Sequence, residues 1–409
     1  MSWGLFRFGE KGEGIMKAIK ILFVLAVLMT VIFSSFSGAL AKQPIKIGVA
    51  FGLTGTWSDW CRMNLIAVDM AIEEINAAGG VNGMPLKTVI YDTSSKPAEA
   101  TRMVRKLASD DKVHAILGPF SSSECEVAFP VGNRIGIVMI AQASSKPGVA
   151  AVNRPYAFRN KVDELRLAIP AIKKWKKHYN IKNVAIVHDA KDAVGRALGT
   201  MVLPGVCKKL GLKIVNEGKY VTYSTHDFDM SPQVTRLKGL KFDGIVFGGI
   251  YMDGVTFIKE ARRQGVSQPM VAGNPLMHLS FPLRGGKAAE GVYTSSEFYY
   301  WMPKESVQKF TKEYVKRAKK KGFDPPYPLQ FDVNVYDSIC MLAHVMKERG
   351  ITNKPGDLAR DRELIMKGLT ELRGFPGLAS TISFNPKTGD ADKDIYVVEA
   401  KGGEWVLVD

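Results

Sequence analysis

The sequence has few of the residues from which metal centres and dense disulfide frameworks are built. Only four cysteines and six histidines occur among 409 residues. The histidines are scattered and lack the spacing of zinc ligands, and no two cysteines form a C-x-x-C pair. We therefore predict that the chain holds no metal ion and no other cofactor.

The common catalytic motifs are also missing. The sequence contains no G-x-S-x-G, no H-E-x-x-H, no Walker loop and no G-x-G-x-x-G. Isolated Asp, His and Ser residues are present, but single residues of these types do not define an active site. The sequence therefore favours a binding protein over an enzyme.

The N-terminal apolar run is too short to cross a membrane comfortably. It extends from Ile21 to Phe33, broken only by Thr30, whereas a bilayer span needs ~20 apolar residues. Lys17 and Lys20 precede this run, as in the charged region of a signal peptide. A membrane anchor is the alternative interpretation.

A cleavage site follows the apolar run. Ala39-Leu40-Ala41 has the small residues that signal peptidase requires, so we predict that residues 1–41 are a signal peptide cleaved near Ala41. Met16 is a natural start for this signal, which would make residues 1–15 an upstream extension. Because no cysteine lies near the cleavage site, we expect a soluble exported protein without a lipid anchor.

Acidic residues are outnumbered by basic ones, 40 against 56, which gives a formal net charge of +16. Such a balance is typical of proteins that bind nucleic acid, a membrane surface or an anionic ligand. However, the lysine cluster at 173–177 surrounds Ile172 and Trp175 at helical spacing, which indicates the solvated face of an amphipathic helix. Together with export, this pattern predicts no nucleic-acid partner.

Strand and helix signals alternate in two series. The first series runs from Ile45 to Ile140 and the second from Val184 to Ala272, with no low-complexity linker between them. Such alternation predicts parallel sheets flanked by helices, and two series predict two α/β lobes. A long helix, Val333 to Arg349, and a hairpin-like end follow.

Two turns that follow predicted strands are rich in small and hydroxyl-bearing residues. One is the segment 118–124 and the other is the segment 141–145. In open parallel sheets, ligands bind at the carboxyl ends of strands, where helix N-termini offer N–H groups to anions. The alternative is helix capping, because Ser121-x-x-Glu124 and Ser123-x-x-Glu126 both fit a capping box.

Beyond these local patterns, the sequence resembles the type I periplasmic binding proteins of the branched-chain amino-acid group. The resemblance covers essentially the whole mature chain, and the order of its segments over ~300 residues is more specific than any single motif. The segments that carry it are Ile45-Lys46-Ile47-Gly48-Val49, Leu53-Thr54-Gly55, Ala71 to Gly83, Gly118-Pro119, Pro155 to Arg159, Asp227-Phe228 and Tyr336-Asp337.

The resemblance implies an α/β fold of two doubly wound, Rossmann-like lobes joined by a three-crossing hinge, with the ligand between the lobes. The boundaries that it implies are 42–162 plus about 297–375 for the first lobe, and 163–296 plus about 376–409 for the second. In such a fold the hinge is expected to close on the ligand.

The resemblance also implies binding residues. Ser122 matches the serine that holds the ligand carboxylate, Ala143 and Ser145 match positions that hold the carboxylate and the ammonium group, and Tyr251 falls near an aromatic residue of the cleft. Trp57 flanks the first cleft loop together with Trp60; core packing is the alternative for both, since large apolar residues are usually buried.

Two departures from the family pattern bear on the ligand. Asp192-Ala193-Val194 precede Gly195 where the family often has a tyrosine, and Asn274-Pro275 stands where its amino-acid binders have an acidic residue. We include Asn274 among the expected binding residues. With both tryptophans in the cleft, an apolar or aromatic carboxylate would fit better than a zwitterion.

The function that the resemblance implies is capture of a small carboxylate or amino-acid-like solute for an ABC importer. The partners would be the ligand and a membrane permease, and the protein would be a periplasmic monomer. A sensory module of the same fold, acting on a separate signalling chain, is the alternative, and an enzyme is the third. The family fold also implies neighbouring helix N-termini in the first lobe, hence a disulfide between Cys61 and Cys125, with Cys207 and Cys340 as buried free thiols.

Overall fold

The computed structural model describes residues 43–408, together with Met1 and Leu22. The predicted signal peptide, residues 1–41 with the extension 1–15, lies outside the described residues apart from these two. The residues from Pro44 onward belong to one compact unit. Among the described residues, none of the helices combines the length and the apolarity that crossing a lipid bilayer would require.

Strands and helices alternate as the sequence predicts. The strands are β1 Ile45–Phe51, β2 Leu86–Asp92, β3 Ala115–Leu117, β4 Val138–Ala141, β5 Ala157–Arg159, β6 Asn183–Asp189, β7 Lys213–Ile214, β8 Val221–Tyr223, β9 Gly244–Gly248, β10 Met270–Ala272, β11 Tyr293–Ser296, β12 Phe375–Pro376, β13 Thr381–Phe384, β14 Ala391–Asp392, β15 Tyr396–Lys401 and β16 Glu404–Leu407. The α-helices are α1 Ser58–Ala77, α2 Pro97–Ser109, α3 Ser122–Ile135, α4 Glu164–Tyr179, α5 Ala193–Ala197, α6 Leu203–Lys209, α7 Ser231–Lys238, α8 Tyr251–Arg263, α9 Ser280–Gly285, α10 Glu305–Lys320, α11 Gln330–Glu348 and α12 Leu358–Glu371.

The first sheet contains five parallel strands in the order β2-β1-β3-β4-β5. Its central strands are buried on both faces, as expected for apolar runs in a parallel sheet covered by helices. Ile47 and Val49 of β1 face the core that contains α1, whereas Ala50 faces the core that contains α2 and α3. We call this sheet, with the helices packed on it, the first lobe.

The second sheet is mixed. Its order is β16-β15-β11-β10-β9-β6-β7, and β8 pairs with β6 beyond the end of β7. The pairs from β6 to β11 are parallel, and the hairpin of β15 and β16 adds antiparallel to β11. We call this sheet and its helices the second lobe. The mixed α/β architecture confirms the predicted fold class.

The chain passes between the two sheets three times, through residues 160–163, 297–304 and 393–395. After the second passage, α10 and α11 return to the first lobe; Tyr314 of α10 donates a hydrogen bond to the carbonyl of Met63 on α1 (3.2 Å). The small antiparallel sheet β12-β13-β14 lies beside β5, where Phe384 packs edge-on against Phe158. The exact division of residues between the lobes stays a prediction.

Charged side chains from all three passages meet in the interior. Lys161 forms an ion pair with Glu297 (2.9 Å), and both side chains are almost fully buried. Lys393 donates to the carbonyl of Asn160 (3.4 Å) and to the side chain of Asn334. Burial raises the pKa of Glu297, but the charges of Lys161 and Lys393, together with hydrogen bonds from Lys161 and the Val162 amide, hold the pKa below its usual value. A charged network therefore ties the three hinge segments together.

The cysteine prediction is wrong in its main part. All four cysteines are free, including Cys61 and Cys125. The reason is that the first sheet separates these two: Cys61 on α1 packs in the core on one face, and Cys125 on α3 packs in the core on the other. Cys207 and Cys340 are free as expected; Cys207 is buried, whereas Cys340 is half-buried.

Candidate functional site

A cavity lies where the carboxyl ends of strands from both lobes face each other. It encloses about 400 Å³ of empty space, a figure that includes open solvent at its mouth. The residues that line it are Trp57, Trp60, Phe120, Ser121, Ser122, Ala143, Ser145, Val194, Asn274, Pro275 and Phe331.

The structure brings together five of the six predicted binding residues in this cavity. Trp57, Ser122, Ala143, Ser145 and Asn274 line it. The sixth, Tyr251, does not line the cavity. Its ring packs edge-on against Trp60, with ring centroids 4.9 Å apart. The structure therefore gathers five of the predicted residues at one cavity, and ligand binding by them stays a prediction.

Aromatic rings form most of the apolar wall. Trp57 and Trp60 have ring centroids 5.5 Å apart, and Phe120 lies 5.8 Å from Trp57. Phe331, at the start of α11, packs edge-on against Phe120 at 5.5 Å. The packing interpretation of the tryptophans is therefore confirmed, because these rings are buried against one another; they also line the cavity, and their contact with a ligand stays a prediction.

Helix capping in the serine-rich turn is confirmed for Ser121 and does not involve Ser122. Ser121 caps α3: its hydroxyl accepts from the Glu124 amide, and Glu124 in turn accepts from the Ser121 amide (3.1 Å). Burial raises the pKa of Glu124, although the hydrogen bonds that this carboxylate accepts act to lower it. Ser122 is the first residue of α3 and takes no part in this capping box, so its hydroxyl remains on the cavity wall.

Hydrogen bonds hold the hydroxyl of Ser122 in place from the neighbouring turn. The Lys146 amide donates to Ser122 Oγ (3.3 Å), and Ser144 Oγ lies 3.1 Å away. Ser122 Oγ therefore accepts from Lys146, and either hydroxyl can be the donor in its contact with Ser144. The N-terminus of α3 contributes unpaired amide groups and a partial positive charge at the same place, which favours an anionic group.

Ser145 and Asn274 are joined by a carboxylate that sequence reasoning missed. Glu164, the first residue of α4, accepts from Ser145 Oγ (2.8 Å) with one oxygen and from the Asn274 amide (3.1 Å) with the other. The side chain is fully buried and lies behind the cavity wall. Burial raises the pKa of Glu164, whereas Lys161 and the two hydrogen bonds oppose this rise.

Both hydrogens of the Asn274 side-chain amide already have acceptors within the protein. Its Nδ2 donates to the carbonyl of Ser295 (2.7 Å) and to Gln330 Oε1 (3.2 Å), and its Oδ1 accepts from Gln330 Nε2 (2.9 Å). Asn274 therefore forms part of the wall, but its amide group has no free hydrogen to offer a ligand. Among the described residues, no group of acidic, His and Cys side chains could hold a metal ion.

Direct contacts between the lobes surround the cavity. Tyr251 of α8 donates to Asp59 of α1 (2.9 Å), and His226 lies 3.3 Å from Thr56. Burial, followed by the charge of Asp59, raises the pKa of the Tyr251 hydroxyl above its usual range. The Tyr251 hydroxyl thus remains a hydrogen-bond donor between the lobes at neutral pH.

Removal of the Tyr251 hydroxyl should weaken ligand binding without altering the cavity wall. We expect Tyr251→Phe to lower affinity by about 2- to 10-fold, because one hydrogen bond worth ~0.5–1.5 kcal/mol is lost from the closed state only. Titration calorimetry measures this change. Tyr293→Phe is the matched control, since Tyr293 donates to Glu399 within the second sheet (3.2 Å). Equal losses in both variants would contradict a role for Tyr251 in closure.

With this geometry established, the sequence can be compared with known families. A family model described as periplasmic binding protein matches residues 44–404, which is most of the chain. The chain belongs to this family. Two kinds of relatives agree with the assignment.

Known periplasmic relatives match along much of the chain. The Leu/Ile/Val-binding protein of Escherichia coli K12 is 25% identical over 355 residues, which cover 84% of this chain and 94% of that protein. The leucine-, isoleucine-, valine-, threonine- and alanine-binding protein of Pseudomonas aeruginosa is 28% identical over 262 residues, 64% of this chain and 68% of that protein.

Solved structures of periplasmic binding proteins share the fold. A leucine-binding protein of Thermotoga maritima superimposes with a TM-score of 0.78 at 23% identity, covering 89% of this chain and 98% of that one. A solute-binding protein of Rhodopseudomonas palustris BisB5, in complex with 3,4-dihydroxybenzoic acid, gives 0.76 at 20% identity, covering 90% and 96%. The chain is thus a type I periplasmic binding protein of the branched-chain amino-acid group. It is a solute-binding protein outside the cytoplasm and not an enzyme.

Proposed function

We propose that this periplasmic binding protein captures a small solute bearing a carboxylate between its lobes and delivers it to an ABC permease. The observation that carries the proposal is the position of the Ser122 hydroxyl at the N-terminus of α3, on the wall of a cavity that is otherwise largely aromatic. The proposal includes cleavage of the signal peptide near Ala41 and action as a monomer.

The residues that line the cavity suit a ligand with one anionic end and an apolar body. Ser122 and the amide groups that begin α3 suit the carboxylate, because hydrogen bonds to a charged group are the stronger ones. Trp57, Trp60, Phe120 and Phe331 suit an aliphatic or aromatic body, since burial of apolar surface supplies most of the affinity for such groups.

A thermal-shift screen tests the proposal. The panel contains branched and aromatic amino acids, benzoate, 3,4-dihydroxybenzoate and 4-methylpentanoate. A ligand that binds only the folded state stabilises it by ~2.7 kcal/mol at a concentration one hundred times Kd. We expect at least one member to raise the melting temperature in a saturable manner. Failure of every carboxylate, with a positive response to an uncharged solute such as a sugar, would contradict the proposal.

A further inference from the structure

The hydroxyl of Ser145 points its hydrogen away from the cavity if Glu164 is ionised. A carboxylate only accepts hydrogen bonds, and a serine hydroxyl has a single hydrogen to donate. Ser145 Oγ lies 2.8 Å from one oxygen of Glu164, and the other oxygen accepts from the Asn274 amide. Ser145 Oγ would then offer only lone pairs to the cavity.

Ser122, on the same part of the cavity wall as Ser145, has the opposite hydrogen-bonding role. Ser122 Oγ accepts from the Lys146 amide, and its hydrogen can turn to a ligand when Ser144 is the donor in the contact between the two hydroxyls. Lys146 and Ser144 both contact Ser122 and are the chain neighbours of Ser145, so the two hydroxyls belong to one short stretch of wall. This part of the wall therefore presents the Ser122 hydroxyl as a hydrogen-bond donor beside Ser145 Oγ as an acceptor.

We propose that Glu164 is a positioning residue that fixes Ser145 as a hydrogen-bond acceptor, so that the site selects ligands with a donor next to their carboxylate. This inference rests on the proposed function and adds to it the residue that discriminates between ligands. An α-amino group meets the requirement, because its hydrogens would point at Ser145 while the carboxylate contacts Ser122. The apolar carboxylate expected from the sequence lacks that donor.

Burial raises the pKa of Glu164, and the charge of Lys161 is the largest influence that opposes this rise. Lys161 lies close enough to favour an ionised Glu164, although it is itself paired with Glu297. Asp163, next in sequence, caps α4 by accepting from the Arg166 amide (3.1 Å) and opposes ionisation only weakly. Gly273 leaves room for this arrangement, since a Cβ at that position would come within 3.3 Å of Glu164 Oε2.

Glu164→Gln reverses the polarity of Ser145 with almost no change in shape. The Gln oxygen would still accept from the Asn274 amide, so its NH₂ group would donate to Ser145 Oγ and turn the Ser145 hydrogen towards the cavity. The probes are two pairs of compounds that differ only in the amino group, L-leucine with 4-methylpentanoate and L-phenylalanine with 3-phenylpropanoate. Calorimetry gives the affinity ratio within each pair.

We expect the wild type to prefer the amino-bearing member, and Glu164→Gln to lower the ratio by about 10- to 100-fold, as a hydrogen bond to a charged group is lost or inverted. Asp163→Asn is the matched control; it removes a neighbouring carboxylate but keeps a good helix cap, so the ratio should not change. In a Ser145→Ala background, Glu164→Gln should have no effect on the ratio, because it acts through Ser145.

The outcomes separate this inference from the proposed function. A wild type that binds either pair but prefers the member without the amino group would mean that Glu164 carries a proton, and would overturn the inference alone. The same holds if Ser145→Ala leaves the preference intact, a test that does not depend on the folding of Glu164→Gln. Binding of neither pair, with no carboxylate active in the thermal-shift screen, would overturn the proposed function and this inference together.

Discussion

Replacement of Lys161 by methionine is expected to lower the free energy of unfolding by about 3–5 kcal/mol, the usual cost of leaving one partner of a buried ion pair alone. Glu297 would keep its hydrogen bond from the Val162 amide (2.5 Å) and its proximity to Lys393, but it would lose the ammonium group at 2.9 Å. Urea denaturation of the ligand-free protein measures the change.

The pH of this measurement follows from the sign of the pKa shift. The pKa of Glu297 is lowered from an ordinary value of 4.5, so the stability that it contributes is complete above that pH and is lost as the pH falls through the lower folded value. At pH 7 the full effect is therefore present. Lys321→Met, which breaks an exposed pair with Asp69, is the control and should cost less than about 1 kcal/mol. Equal losses in the two variants would contradict the importance of the buried pair.

Ser122→Ala is expected to weaken binding of the solute by about 10- to 150-fold, because a hydrogen bond to a carboxylate is worth ~1.5–3 kcal/mol. Capping should survive, since the cap of α3 is Ser121. Calorimetry at a temperature where both proteins are folded gives the affinity, and Ser231→Ala, a serine that contacts Glu260 on the second lobe (2.9 Å), controls for loss of a hydroxyl elsewhere. Unchanged affinity with reduced stability would return Ser122 to a purely structural role.

Local sequence patterns predicted whether each main element is a helix or a strand. They predicted less well which of its side chains the rest of the protein buries. The sequence predicts a helix with Leu65, Val68, Ile72 and Ile75 on one face, and α1 does form there. In the structure Val68 is buried as such a face requires, but the other three are only half-buried, whereas Met63 and Met70 are buried. The difference arises because α10 and α11, more than two hundred residues away, cover the other side of α1, which no local pattern reveals.

The sequence predicts one helix over Gly195 to Leu210, closed by Gly211, but the structure interrupts it. A π-helical turn at Leu198–Val202 separates α5 from α6. Pro204 has no amide hydrogen to continue the ladder, and a Cβ at Gly199 would overlap the ring of His188 at 1.9 Å. The contact with His188, which belongs to β6, is a tertiary constraint.

Family resemblance covers contiguous segments, so it pointed to the cavity-lining residues of single turns. It missed residues that distant segments bring to the same cavity. Ser122, Ala143 and Ser145 lie in turns with a recognisable composition. Phe331 and Glu164 are brought to the site by the hinge passages, and nothing in their own neighbourhoods distinguishes them from ordinary core or capping residues. The prediction of a disulfide was wrong for a similar reason, because the order of elements in the sequence does not show on which face of a sheet each helix packs.

The return of α11 to the first lobe has a consequence for biosynthesis. The five strands of the first sheet are complete once Arg159 has been made, but α11 begins only at Gln330. At ~5–20 residues per second, ribosomes need on the order of 10–35 s to add the intervening stretch. During that interval the side of α1 that carries Met63 and Met70 lacks the cover of α11, so we expect the nascent chain to expose apolar surface there until about four fifths of the chain has been made.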